Sequence, residues 1–349
     1  MSQASAPSRA RKRGLLGPFL LVAILFAAWC GWWLYLSGQV RERLDLAAQN
    51  LRAQGYELAY GAPEIGGWPF RVRVEAADFR VAAPSGHALA APRLVAEANA
   101  YNPGRWVFVA PDGLDITRPG KGQVAVSAPA IRASVSGFDQ PYPNLAVELA
   151  RATFTPRAGA EPFPFTAAER VTFELRPAPA REGETAPDAA AILFQLIDAQ
   201  GREGGPVEAL AQGKSFSFRA EAVVERGHAL KGANGPAMFR AWSQAGGRLT
   251  GVRGEMLAGE SRATLTSDVL SVGPDGRLVG TVDLDAEKAT RALSGLMRAP
   301  DAGGVNRVGA AGATAAAAAR GGDVDLTVVF ARGRARLGPF DLAPAPRVF

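Results

Sequence analysis

Cysteine and histidine are nearly missing from this sequence. Its 349 residues include one cysteine, Cys30, and two histidines, His87 and His228. A disulfide within the chain is therefore excluded, as is a metal site built on cysteine. Acidic residues are lacking at the N-terminal end. None occurs before Ser37, whereas Arg9, Arg11, Lys12 and Arg13 all do. Removing those four from the 39 basic residues leaves 35 against 33 acidic ones, so Gly38–Phe349 carries only +2 of the chain's +6. A nearly neutral remainder of this kind gives no support to a nucleic-acid surface.

Enzyme signatures are scarce as well. The nucleophile-elbow pattern G-x-S-x-G does not occur, and Gly259-Glu260-Ser261-Arg262-Ala263 lacks its last glycine. No G-x-x-x-x-G-K phosphate loop is present. His87 and His228 each sit beside a glycine (Gly86, Gly227) and read as solvated turn residues, with no carboxylate at ligand spacing. Asp283 and Asp285 would share one face of a strand, but Asp285 is also placed to cap a following helix. The expectation is a protein that is not an enzyme and has no cofactor or metal.

What is present is a long apolar run. Leu15–Leu36 holds 22 residues with no charged side chain and no Ser, Thr, Asn or Gln. About 20 apolar residues span a bilayer core as a helix. Arg11, Lys12 and Arg13 precede it, and Trp29, Trp32, Trp33 and Tyr35 crowd its far end, where amphipathic rings favour the membrane–water interface. A secretory h-region is shorter and ends at a small-x-small site, which is not found near Ser37. Ala10 interrupts any twin-arginine pair, and Trp29 occupies the position before Cys30 where a lipobox needs a small residue. The run therefore reads as an uncleaved transmembrane anchor over 15–36. Residues 1–14 form a cytoplasmic basic tail, and 38–349 lie across the membrane by the positive-inside rule.

Val40, Leu44, Ala47 and Leu51 then mark an amphipathic helix, which Gly55 is suited to stop. From Tyr56 the period changes to two. Gly66-Gly67-Trp68-Pro69 is turn chemistry, and Phe70–Glu75 alternates apolar and charged residues. Further strands are predicted at Leu89–Ala98, Trp106–Ala110, Gln123–Ala128, Ile131–Ser136, Leu145–Phe154 and Arg170–Arg176. Punctuation at Asn102-Pro103-Gly104, Pro111-Asp112-Gly113 and Arg118-Pro119-Gly120 separates them.

A Pro-rich linker over 177–188 divides this unit (56–176) from a second (190–349). Ala189–Gln200 fits helix or strand, with strand preferred, and Ser215–Val224 is a clearer strand. A short helix should open at Gly235-Pro236 and bury Met238, Phe239, Trp242 and Ala245. Strands at Leu249–Leu257, Ser261–Leu265, Val269–Val272 and Leu278–Leu284 should follow, the last two joined by the turn Gly273-Pro274-Asp275-Gly276. Asp285 would cap a helix over Ala286–Arg298. Residues 301–322 are Ala/Gly-rich and read as a flexible loop. Val324–Ala331 and Ala335–Leu337 close the chain. Trp68, Phe70 and Phe79 read most simply as sheet-core residues, or else as the lining of an apolar groove.

The order of these features resembles a known family. One N-terminal span, a helix, and Gly67-Trp68-Pro69-Phe70-Arg71 opening a strand are similar to the bacterial domain of unknown function 2125 family. Val329-Phe330 with Gly333, then Leu337-Gly338-Pro339-Phe340, resembles that family's closing strand pair. The likeness covers most of residues 15–349. Arg253–Leu284 is in turn similar to a segment of AsmA-like proteins, which are anchored in the inner membrane of Gram-negative envelopes, some of them implicated in lipid movement. The resemblance implies no catalytic residues.

The expected architecture is mainly β with a few helices (α+β), a single transmembrane helix followed by a curved antiparallel β-sheet ectodomain in the periplasm. The expected role is binding or guiding membrane lipid or other amphiphiles. The alternative is a scaffold that binds an envelope protein partner through sheet edges.

Overall fold

A computed structural model describes residues 11–179, 188–230, 235–298, 311–312, 314–315, 318–319 and 321–348. The basic tail up to residue 10, most of the linker 177–188 and most of the Ala/Gly-rich stretch 301–322 lie outside the described residues.

The apolar run and the amphipathic segment after it form one helix, α1 (Arg11–Ala53). Gly55 ends it as expected. With φ at +85°, it lets Gly55 N–H reach the Arg52 carbonyl (2.9 Å) and Tyr56 N–H reach the Leu51 carbonyl (3.0 Å). These bonds satisfy carbonyls left over in the last turn.

Everything after α1 is organised on one antiparallel sheet of 18 strands among the described residues. Two short strands, β1 (Glu57–Ala59) and β2 (Glu64–Gly66), both pair with β3 (Arg71–Ala82). On its other side β3 pairs with β4 (Ala88–Asn99). Beyond β4 the sheet forks into two lanes. One runs through β5 (Asn102–Val109) and β8 (Ala130–Ser136), the other through β6 (Leu114–Arg118) and β7 (Gly122–Ser127). Both lanes rejoin on β9 (Asn144–Pro156).

From there each strand pairs with its successor in the chain: β10 (Phe165–Pro177), β11 (Ala189–Gly201), β12 (Phe216–Glu225), β13 (Arg248–Ala258), β14 (Ser261–Val272), β15 (Leu278–Glu287), β16 (Val324–Ala331), β17 (Arg334–Leu337) and β18 (Phe340–Pro344). Further α-helices among the described residues are α2 (Pro206–Ala211), α3 (Gly235–Gln244) and α4 (Ala289–Arg298).

Most strand expectations hold, and Ala189–Gln200 is a strand. Several details are corrected. Asp285 lies inside β15 opposite Asp325, so it caps no helix, and α4 begins at Ala289. The two strands expected within Ser261–Val272 are one. Asn102-Pro103-Gly104 opens β5, because β4 runs on to Asn99 and pairs with Asn102; the reversal falls at Ala100-Tyr101. In α3 only Trp242 is buried, with its indole N–H donated to the Glu225 carbonyl (2.7 Å), while Met238 and Phe239 are half-buried, as is Ala245 just past its end.

The two faces of the sheet differ in chemistry. Cross-strand ion pairs occupy one: Arg71–Glu97 (2.9 Å), Arg93–Glu75 (3.6 Å), Arg132–Glu148 (2.7 Å) and Arg253–Glu221 (3.7 Å). Exposed pairs contribute roughly 0–1 kcal/mol each. Their larger effect is on register, since a slip of one residue would exchange the faces. The other face is hydrocarbon. Part of it is covered by α2, whose Val207 and Ala211 join Leu196, Phe216 and Ala258 in the main core. Gly295 of α4 lies so close to α2 that a Cβ there would stand 2.0 Å from the Ala209 carbonyl oxygen.

Candidate functional site

The residues singled out in the sequence meet at the junction of α1 with the sheet. Gly67 has φ at +96°, and a Cβ on it would lie 2.8 Å from the Arg71 carbonyl oxygen, so the turn requires glycine. Arg71 N–H closes the turn onto the Gly67 carbonyl (3.0 Å), and the Trp68–Pro69 peptide is cis. The tip so formed lies along α1. Trp68 packs edge-on to Phe26 at 6.0 Å between ring centroids, and Phe70 packs on Trp29 at 6.5 Å.

Three tryptophans of α1 donate their indole N–H groups to backbone carbonyls of the sheet. Trp29 bonds Pro69 (2.9 Å), Trp32 bonds Ala100 (2.9 Å) and Trp33 bonds Arg71 (2.7 Å). Tyr35 remains 60% exposed and tilts against Trp32 at 5.9 Å. Leu36, at the end of the apolar run, is buried with Val72 and Ala100, and Trp29, Trp33, Val40, Ile65 and Trp106 pack around them. Trp68 and Phe70 are thus not sheet-core residues. They are 51% and 65% exposed, because the turn aims them along the helix instead of into the sheet. Phe79 is half-buried. The backbone of Arg11, Lys12, Arg13 and Leu15 belongs to the first turns of α1.

From this junction the hydrocarbon face runs outward in register. One row of directly opposed residues is Val72, Ala98, Trp106, Val135, Leu145, Leu175 and Ile192. The next is Val74, Ala96, Phe108, Ala133, Val147, Phe173, Phe194 and Ala220, continuing through Gly254 to Leu265, Leu284 and Leu326. Val72 and Val74, at the α1 end, are buried. Over β5 to β12 both rows are half-buried or more open, and Phe194 keeps 36% of its surface. No single strand reveals these rows in the sequence. They appear only once pairing aligns residues 8 to 42 positions apart.

Acid–base groups collect elsewhere. Asp188 accepts hydrogen bonds from the Tyr142 hydroxyl, the His228 ring and the His228 backbone N–H (2.9 Å). Burial pushes the Asp188 carboxyl up, but these bonds outweigh it and hold its pKa below the usual carboxylate value. Burial first, then the bond to Asp188, raises the Tyr142 phenol. His228 therefore has a carboxylate partner that the sequence hid, 40 residues away. His87 sits 3.1 Å from the Ser85 hydroxyl. Among the described residues no three His, Cys, Asp or Glu side chains are grouped to hold a metal ion.

By length and composition α1 can cross a membrane: Gly17–Ala53 contains a window of mean hydropathy 2.0 that is only 6% buried. That fits a single-pass anchor, and a signal sequence would pass the same test. No curated protein and no solved structure matches the chain. The model of a family described as "Uncharacterized protein conserved in bacteria (DUF2125)" matches residues 33–346. That span takes in most of the aromatic junction, the Gly67–Arg71 turn and the whole sheet, and the chain belongs to that family.

Proposed function

We propose that this protein is a non-enzymatic, membrane-anchored envelope protein whose sheet shelters the acyl chains of lipids or other amphiphiles. The observation that carries the reading is continuity. The two open rows of apolar residues start at Val72 and Val74, and Val72 packs against Leu36 and the tryptophans of α1. A hydrocarbon path leading away from a membrane helix suits a hydrocarbon ligand. Burial from water is worth about 25 cal/mol per Å² of apolar surface, and a sheet face lined by Phe108, Val147, Phe173 and Phe194 offers such burial without a specific polar contact.

An uncleaved anchor is supported by the same junction. Removal of α1 would uncover Val72, Ala100 and Trp106 and leave three backbone carbonyls without their indole donors. The basic flank before Leu15 favours a cytoplasmic N-terminus and a periplasmic sheet, in keeping with a Gram-negative inner membrane. The Tyr142–Asp188–His228 cluster reads as a fastening between turns, since Asp188 also binds the backbone N–H of His228.

Photo-crosslinking tests the proposal. Full-length protein, reconstituted with phospholipid carrying a diazirine in its acyl chain, should be labelled on β5, β9, β10 and β11 as well as on α1. The Phe194→Glu variant should lose most of the labelling on the sheet while keeping that on the helix. Labelling confined to α1 would defeat the reading. Crosslinks from the sheet to protein alone would favour the scaffold alternative.

A further inference from the structure

The side of α1 that carries Leu34 and Tyr35 is open, with these residues 65% and 60% exposed, while Leu36 and Trp33 on the other side pack on the sheet. Given the reading of α1 as a membrane span, on which this inference rests, the lipid must rise at least to Leu34 and Tyr35. Leu15–Ala28 alone would reach only about 21 Å at 1.5 Å per residue, against a core about 30 Å thick. Phe26, where Trp68 rests, lies ten residues before Leu36, which is about 15 Å along the axis. The tip formed by the turn between β2 and β3 is therefore level with lipid.

The chemistry of the tip matches that depth. Trp68, Phe70 and Tyr101 are 51%, 65% and 69% exposed, and the two turns bearing them lie side by side, joined by Ala100 N–H to the Phe70 carbonyl (2.8 Å). Backbone carbonyls are costly in hydrocarbon unless they are hydrogen-bonded within the protein. Those of Pro69, Arg71 and Ala100 are bonded by the tryptophan indoles, Gly67's by Arg71 N–H and Phe70's by Ala100 N–H. On β3 and β4 the first charges above the tip are Arg71 and Glu97, paired at 2.9 Å, at the height of Trp33. Phe70 then lies about 6 Å and Trp68 about 10 Å below that level, counted along α1 at 1.5 Å per residue.

We infer that Trp68–Phe70 and Tyr101 are inserted into the membrane leaflet on the sheet's side, giving the protein a second membrane contact beside its helix. The ligand of this surface is the bilayer itself, aliphatic below Arg71 and headgroup above it. The sheet is thereby held at a fixed tilt with the start of its apolar rows at lipid level.

Site-directed spin labelling of the full chain in phospholipid vesicles tests this. In a Cys30→Ser background, single labels go to Trp68→Cys, Phe70→Cys and Tyr101→Cys. Val22→Cys reports on the span, and His87→Cys reports on the far end of β3. Collision with oxygen relative to a water-soluble nickel chelate should be high at 22, 68, 70 and 101, and severalfold lower at 87. A lipid-type ratio at 22 with water-type ratios at 68, 70 and 101 would overturn the inference and leave the span intact. Water-type ratios at 22 as well would overturn both. Protection from both reagents at 68 and 70 would mean protein contact between copies, and that too would overturn it. The labelled positions are exposed, and Tyr101→Cys leaves the Gly67 turn untouched should the other two perturb folding.

Discussion

Gly67 and the indole nitrogens of Trp29, Trp32 and Trp33 decide how the first hairpin meets the helix. A methyl group at Gly67 would combine a positive φ with a 2.8 Å approach to the Arg71 carbonyl oxygen. Strain of this kind costs roughly 1–3 kcal/mol. Gly67→Ala should lower stability by about that amount in denaturant titrations, and it should shift the emission of the α1 tryptophans as the tip moves away. Gly67 was legible in the sequence as a turn residue. The direction in which the turn aims Trp68 and Phe70 was not, because it depends on a helix about 40 residues earlier in the chain.

Asp188 gives a pH-dependent counterpart. Its carboxyl is depressed, so its contribution is present above the unfolded pKa, near 3.9, and is lost as pH falls through the lower folded value. Acid titration of stability should show this loss in the wild type. Asp188→Asn should be less stable at neutral pH and flatter below about pH 4.

Among the elements, period and punctuation found those that carry their own signal. Phe70–Glu75 alternates strictly and, from Arg71 on, lies within β3, and Gly273-Pro274-Asp275-Gly276 joins Val272 to Leu278 as its turn chemistry requires. What escaped was short or was decided by a neighbour. β1, β2 and β6 are three to five residues long and owe their existence to β3, β4 and β7. α2 has only six residues, though Gly205 with Pro206 at its first position was a usable start signal. That helix matters because it covers β11 to β13 at one level and leaves the Phe173–Phe194 level open. Its absence from a sequence reading hides where the hydrocarbon face is filled and where it is not.

For the molecule as a whole, α1 is at once a helix long and apolar enough to cross a membrane and a core element of the fold. A chain truncated to begin at Gly38 loses Trp29, Trp33 and Leu36 from the cluster around Val72 and Ala100. Such a chain should self-associate or melt earlier than the full protein, as light scattering and thermal unfolding in matched detergent would show; equal behaviour would mean the junction contributes little. The sequence made the mainly β architecture and the apolar helix readable, since both follow from local pattern. The two-faced sheet needed the register. The strand order has a consequence for biogenesis: apart from β1–β3 and the fork between β4 and β9, every ladder joins strands that are neighbours in the chain. Contact order is therefore low for so large a sheet, and low contact order favours fast folding. A chain that emerges from its N-terminal end can add each hairpin to the last, with little unpaired edge left waiting for a distant C-terminal partner.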